Sequence, residues 1–214
     1  EHIDKPKKIL IVELGPGDGT LCKDLLNAFK NFSKFYNSLE IRLIEKSEKL
    51  KKIQKNKIKN SKVKWIKKID ELKDGPIIFI ANEFFDSLPI KQICFEKNSF
   101  CERYVALQKN SEKIKFLNKK ANKILVKKIK DLNLLSKKNI IEYPTNSIKY
   151  LNLIAKYIKK YDGGLLTFDY GYTKTKNQNT LQSVENHKKI DIFLKPSNVD
   201  ITSHINFKLF ADIL

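Results

Sequence analysis

The chain predicts an α/β fold: a doubly wound, mostly parallel sheet carrying a hairpin-plus-helix insertion. Three observations lead there. Apolar runs that suit strands covered on both faces alternate with segments of helical period. A glycine-rich turn, Gly15-Pro16-Gly17-Asp18-Gly19, follows the first apolar run. Acidic residues stand at the ends of several runs, where open α/β sheets bind ligands.

The elements follow in order. Ile9-Leu10-Ile11-Val12 reads as a buried parallel strand. Three glycines at alternate positions let the backbone turn sharply and lie close to a ligand. Leu21, Leu25, Leu26, Phe29 and Phe32 then recur at helical spacing, with Asp18 or Thr20 as cap. Residues 38–45 alternate and end on Glu45. Residues 47–58 form a lysine-rich helix carrying Leu50, Ile53 and Ile58. Residues 63–66 are a short strand, 70–75 a polar loop, and 76–81 a fully apolar strand. These alternations predict right-handed crossovers.

Residues 91–96 and 100–107 are β-like and flank Lys97-Asn98-Ser99, which reads as a hairpin. Residues 110–138 are lysine-rich and read as helical on the stripe Ile124, Leu125, Ile129 and Leu132. An inserted subdomain is therefore expected at 93–138, within a core of 1–92 and 139–214. After it the sheet pattern resumes: 140–143 extended, 147–161 amphipathic, and 165–169 a strand ending on Asp169. Residues 170–196 read as polar loop.

Composition bounds the function. The formal charge is +19, yet of 43 basic residues only Arg42 and Arg103 are arginine. The lysines spread along the whole chain, and phosphate-gripping surfaces favour arginine. We read this charge as a solvated surface and codon bias, not a nucleic-acid face. No apolar run reaches about 18 residues, so no membrane span is expected. Cys22, Cys94 and Cys101 form no Cys-x-x-Cys pair, which suits free thiols in a reducing compartment. With only His2, His187 and His204 beside them, no metal site is expected.

The glycine turn narrows the ligand. A dinucleotide fold uses Gly-x-Gly-x-x-Gly, but Thr20 stands where its third glycine belongs. No Gly-Lys-Ser/Thr follows, so a P-loop is excluded. Glu-x-Gly-x-Gly-x-Gly is the loop of S-adenosylmethionine (SAM) methyltransferases. Glu13 suits the cationic cofactor. Glu45 is placed to accept the ribose hydroxyls, and Asp70 to meet the adenine amino group. The expected cofactor-binding set is Glu13, Gly15, Gly17, Gly19, Glu45 and Asp70.

A second motif is Asn82-Glu83-Phe84-Phe85-Asp86, at the end of the apolar strand. With residues 12–21 it closely resembles the MidA-like family of SAM-dependent methyltransferases. Three further segments match in order: Asp169-Tyr170-Gly171-Tyr172; Asn179 to Val184 with His187; and Asp200 to Phe207. The family includes a mitochondrial complex I assembly-factor arginine methyltransferase. Its members extend beyond both ends of this sequence, so the resemblance implies a longer chain. Asp18 replaces a basic residue often found in the loop.

The resemblance implies a class I SAM methyltransferase of Rossmann-like fold that N-methylates arginine of a protein, a respiratory complex I subunit in the mitochondrial relative. It implies bacterial cytoplasm, or the mitochondrial matrix in a eukaryote. A guanidinium is always protonated in water, and carboxylates can orient it and localise its charge. Glu83 and Asp86 are the expected clamp, with Asn82 orienting the acceptor nitrogen and Asp169 as a further acid. His187 and His204 are expected to be structural hydrogen-bonders. The alternatives are a non-catalytic assembly module with the same fold, and an RNA methyltransferase.

Overall fold

The computed structural model describes residues 6–109, 111, 113–174, 179–185, 188–194 and 199–214. His187 lies outside the described residues. The chain divides into two compact units, the first of residues 1–84, 150–169 and 214, the second of 85–149 and 170–213.

The first unit holds the expected parallel sheet. Its strands are β1 (Ile9–Leu14), β2 (Leu39–Ile44), β3 (Val63–Ile66), β4 (Ile77–Asn82) and β9 (Gly163–Phe168), in the order β3-β2-β1-β4-β9. Every pairing is parallel. All six residues of β1 are buried, as a strand flanked on both sides and covered on both faces requires. Helices α1 (Thr20–Phe29), α2 (Ser33–Ser38) and α3 (Glu48–Ile58) connect the first strands. Leu26, Ile58 and the partly buried Leu21, Leu25 and Phe29 pack with Ile9, Ile11, Ile41 and Leu43 in one apolar cluster. Ser47 caps α3 by accepting from the Leu50 amide. The direction of strand succession reverses between β1 and β4, and their carboxyl ends are the switch point where such sheets bind ligands.

The second unit holds β5 (Lys91–Glu96), β6 (Ser99–Leu107), β7 (Ile114–Lys120) and β8 (Ile141–Tyr143) in one antiparallel sheet, order β7-β6-β5-β8. Lys97 and Asn98, both at positive φ, turn the expected hairpin. Two expectations change here. Residues 110–138 are not helical throughout: 114–120 are β7, and the helix α4 (Lys123–Asp131) follows. The apolar stripe behind the helix reading begins only at Ile124. The segment before it pairs with β6, setting Phe116 opposite Val105 and Leu117 opposite Tyr104. The second change concerns β8. It pairs with β5 and not with the parallel sheet, so this unit continues past residue 138.

Helix α5 (Thr145–Tyr161) precedes β9. The expected loop after residue 170 contains short strands: β10 (Gly171–Tyr172), β11 (Gln182–Glu185) and β12 (Lys188–Ile190), then β13 (Asp200–Thr202), β14 (Ile205–Asn206) and helix α6 (Phe207–Ile213). Strands of two to four residues are too brief for alternation to reveal. Among the described residues no helix is long and apolar enough to cross a membrane, and no group of His, Cys, Asp and Glu could hold a metal.

Candidate functional site

The carboxyl ends of β1 and β4 open on a cavity of about 500 Å³ lined by Glu13, Gly15, Gly17, Asp18, Asn82 and Glu83, among others. It lies within the first unit. Gly15, Gly17 and Gly19 all have positive φ, so the loop is a succession of left-handed turns that side chains disfavour. A Cβ on Gly17 would meet nothing within 4 Å; it would project into open space. A Cβ on Gly15 would lie 2.8 Å from the Phe84 ring. Gly19 is different: it is buried against Ile58 and Gln54 and is not among the cavity's lining residues. Asp18 braces the loop. It accepts from the Thr20 amide and hydroxyl and pairs with Lys57, contacts that hold its carboxyl well below the usual range.

Glu13 is 3 % exposed, and its Oε2 has no hydrogen-bond partner. Burial pushes its carboxyl up to about 7. A buried, unsatisfied carboxylate oxygen beside a cavity calls for a cationic or hydrogen-bond-donating ligand. The α-amino group of SAM is such a donor, so the residues present fit that cofactor.

Glu45 is buried at the end of β2. Its Oε1 accepts from the Ser47 amide at 2.7 Å and its Oε2 from Gln54 at 3.3 Å. Asp70, expected at the adenine, is exposed on a 3₁₀ turn at Ile69–Glu71 and does not line the cavity.

Of the residues expected to hold the methyl acceptor, Asn82 and Glu83 line the same cavity as Glu13. Glu83 has φ 46°, an uncommon conformation for a residue with a Cβ. Its amide donates to the Phe168 carbonyl at 2.8 Å, which prolongs the β4–β9 pairing by one step. Asp169 follows Phe168, the register partner of Asn82. Strained residues at strand ends cluster at functional sites. Asp86 is not among this cavity's lining residues. It is 6 % exposed in the second unit, lining a cavity of about 370 Å³ with Gln92, Arg103, Thr202 and Ser203. Volume does not separate the two cavities; the unpaired buried acid and the open glycine do.

Two residues escaped the sequence reading. Gln54 is one, because nothing marks a glutamine in a lysine-rich helix as buried. Glu142 is the other. Its carboxylate accepts from Gln92 Nε2, from the Thr180 amide and hydroxyl, and from the Leu181 amide. The Thr180 hydroxyl in turn accepts from the His204 amide at 2.9 Å. The segments Asn179–Val184 and Asp200–Phe207 thus meet around one acid.

A family model described as "Putative S-adenosyl-L-methionine-dependent methyltransferase" matches residues 1–214. The mitochondrial protein arginine methyltransferase NDUFAF7 homolog of Caenorhabditis elegans is 29 % identical over 95 % of this chain and 52 % of its own length. Mitochondrial NDUFAF7 of Xenopus laevis is 28 % identical over 95 % and 52 %. The chain thus spans about half the length of these relatives. A COG1565 superfamily crystal structure from Burkholderia thailandensis, bound to S-adenosyl-homocysteine, has a TM-score of 0.79 at 19 % identity. It covers 99 % of this chain and 56 % of that one, and shows a shared fold.

Proposed function

The chain belongs to the S-adenosyl-L-methionine-dependent methyltransferase family that matches its whole length, and from that premise we propose that it methylates an arginine nitrogen of a protein. The observation that carries the reading is the cavity shared by Glu13, Gly17, Asn82 and Glu83, with one buried carboxylate oxygen unpartnered. SAM, when bound, supplies an electrophilic methyl group on a sulfonium.

Every other part belongs to the chain. Glu13 receives the α-amino cation, and Glu45 the ribose hydroxyls. Gly15 and Gly17 leave room for the cofactor. Asp70 is exposed and offers at most an outer contact to the base. Glu83 holds the acceptor guanidinium and draws its charge away from the nitrogen that must present a lone pair. Asn82 orients that nitrogen through its amide oxygen, and Asp169 is a further acid for the guanidinium. Positioning of this kind supplies much of the rate. The relatives' names support arginine as acceptor, and a mitochondrial relative supports a matrix location if the source is eukaryotic. A respiratory complex I subunit is the first substrate to offer.

The test is transfer of label from methyl-labelled SAM into extract proteins, followed by acid hydrolysis and chromatography. Labelled methylarginine is expected. Label in another amino acid overturns the arginine assignment, and RNase-sensitive label overturns the protein assignment. No label in any fraction overturns methyl transfer itself.

A further inference from the structure

Gln54 sits on α3, 0 % exposed, where a solvated helix face would have no use for it. Its side chain touches three separate parts of the first unit. Nε2 donates to the Gly17 carbonyl at 2.7 Å and to Glu45 Oε2 at 3.3 Å. Oε1 accepts from the Trp65 indole at 2.7 Å. The amide has one orientation that satisfies all three. An indole N–H can only donate, so it must face the oxygen; a carbonyl and a carboxylate can only accept, so they must face the NH₂. Both amide hydrogens are used.

The consequences converge on two residues assigned to the cofactor. Glu45 is held from both sides, by the Ser47 amide on one oxygen and by Gln54 on the other, so its remaining lone pairs have fixed directions. Gly17, at the open part of the loop, has its carbonyl pinned by a side chain 37 residues away. The loop approaches α3 this closely because Gly19 has no side chain: a Cβ there would come within 3.3 Å of Gln54 Cγ and 3.1 Å of Ile58 Cδ1.

We propose that Gln54 is a positioning residue for the nucleoside half of the site, aiming the Glu45 carboxylate at the ribose hydroxyls while it fixes the glycine loop through Gly17. This rests on the cofactor reading above. Glutamate at 54 would keep the acceptor for Trp65 but lose both donors and set a second carboxylate against Glu45. Leucine would remove all three bonds. Neither asparagine, one methylene shorter, nor a hydroxyl can span the three partners.

The experiment measures calorimetric binding of S-adenosylhomocysteine and of its 2′-deoxyribose counterpart to the wild-type chain and to Gln54→Leu, Gln54→Glu and Ile58→Ala. A hydrogen bond to a charged acceptor sets an expected wild-type preference for the ribose form of about tenfold or more. In both Gln54 variants the preference should fall to about twofold or less, beyond any uniform loss of affinity. Ile58→Ala thins the same helix–loop contact without touching a polar group, and should lower the melting temperature with the preference intact. Gln54→Glu is nearly isosteric, so it reports even if Gln54→Leu does not fold. A wild-type preference retained in Gln54→Glu overturns the inference alone. Failure of the wild-type chain to bind either nucleoside overturns the cofactor reading, and this inference with it.

Discussion

Gly15 of the glycine loop lies directly against the ring of Phe84, close enough that a Cβ at residue 15 would come within 2.8 Å of Phe84 Cδ2. The ring is held in turn by an edge-on contact with Tyr150, centroids 5.1 Å apart. The loop that follows β1 and the motif that follows β4 are therefore packed against each other. Their separation is set by a missing methyl group.

That contact separates two glycines that look alike in the sequence. Gly15→Ala adds a clash to a disfavoured φ of +63°, and should cost about 2–4 kcal/mol in chemical denaturation. A Cβ at Gly17 meets no neighbour within 4 Å, so Gly17→Val begins its side chain in open space. It should cost about 1–2 kcal/mol from backbone strain alone, yet abolish SAM binding by calorimetry. Tight SAM binding by Gly17→Val would mean that the cofactor does not occupy the space above residue 17.

Glu13 makes the protein sensitive to pH. Its carboxyl is raised from 4.5 to about 7 by burial, so the folded state favours the neutral form. The associated stability is fully present below the unfolded value and is lost as pH rises through about 7, levelling off at roughly 3 kcal/mol. Glu13→Gln should therefore match the wild type near pH 4 and exceed it near pH 8 in denaturant melts. Neighbouring Cys22 does not titrate in this window, because burial and Glu13 push its thiol up to about 12. Affinity for SAM should run the other way, rising with pH up to about 7 as Glu13 ionises to meet the α-amino cation. In Glu13→Gln that dependence should flatten.

Glu83 combines a proposed role with a strained backbone, φ 46°. Glu83→Gln should bind SAM normally and turn over about a hundredfold more slowly or worse. Glu83→Gly should be more stable than the wild type by about 1 kcal/mol, since glycine accepts that φ without strain, and inactive. Methyl transfer at the wild-type rate in either variant removes Glu83 from the chemistry.

Glu142 gathers bonds from Gln92, Thr180 and Leu181. Glu142→Ala leaves those donors unpaired and should destabilise by about 2–4 kcal/mol, read by thermal unfolding. Hydrogen exchange at the Thr180 and Leu181 amides should accelerate in the same variant.

The parallel sheet was legible because continuous apolar runs carry a strong signal; β1 and β4 lie where their runs lie. Glu13, Gly17, Asn82 and Glu83 were legible because chemistry at strand ends stands out against apolar neighbours. Long-range pairing was not. The partners of β7 and β8 are chosen by contacts that no local period encodes, and a composition rich in lysine blurs strand and helix alike. Gln54 was hidden for a related reason: its value lies in three partners far apart in the chain. Asp86 is the contrasting case: it stands three residues after Glu83 in the motif and lines a cavity of the second unit, which its position in the sequence does not signal.

The Glu142 cluster has a bearing on how relatives of this chain are recognised. Two of the segments behind the family resemblance are tied together here: Thr180 and Leu181 of Asn179–Val184 bond the Glu142 carboxylate, and His204 of Asp200–Phe207 bonds the Thr180 hydroxyl. A chain without the proposed activity would still need these bonds in order to fold. On the function proposed above, loss of Asn82 or Glu83 would silence the chemistry and leave the Glu142 bonds as they are, so an intact final third of the chain is a sign of the fold and not of the activity.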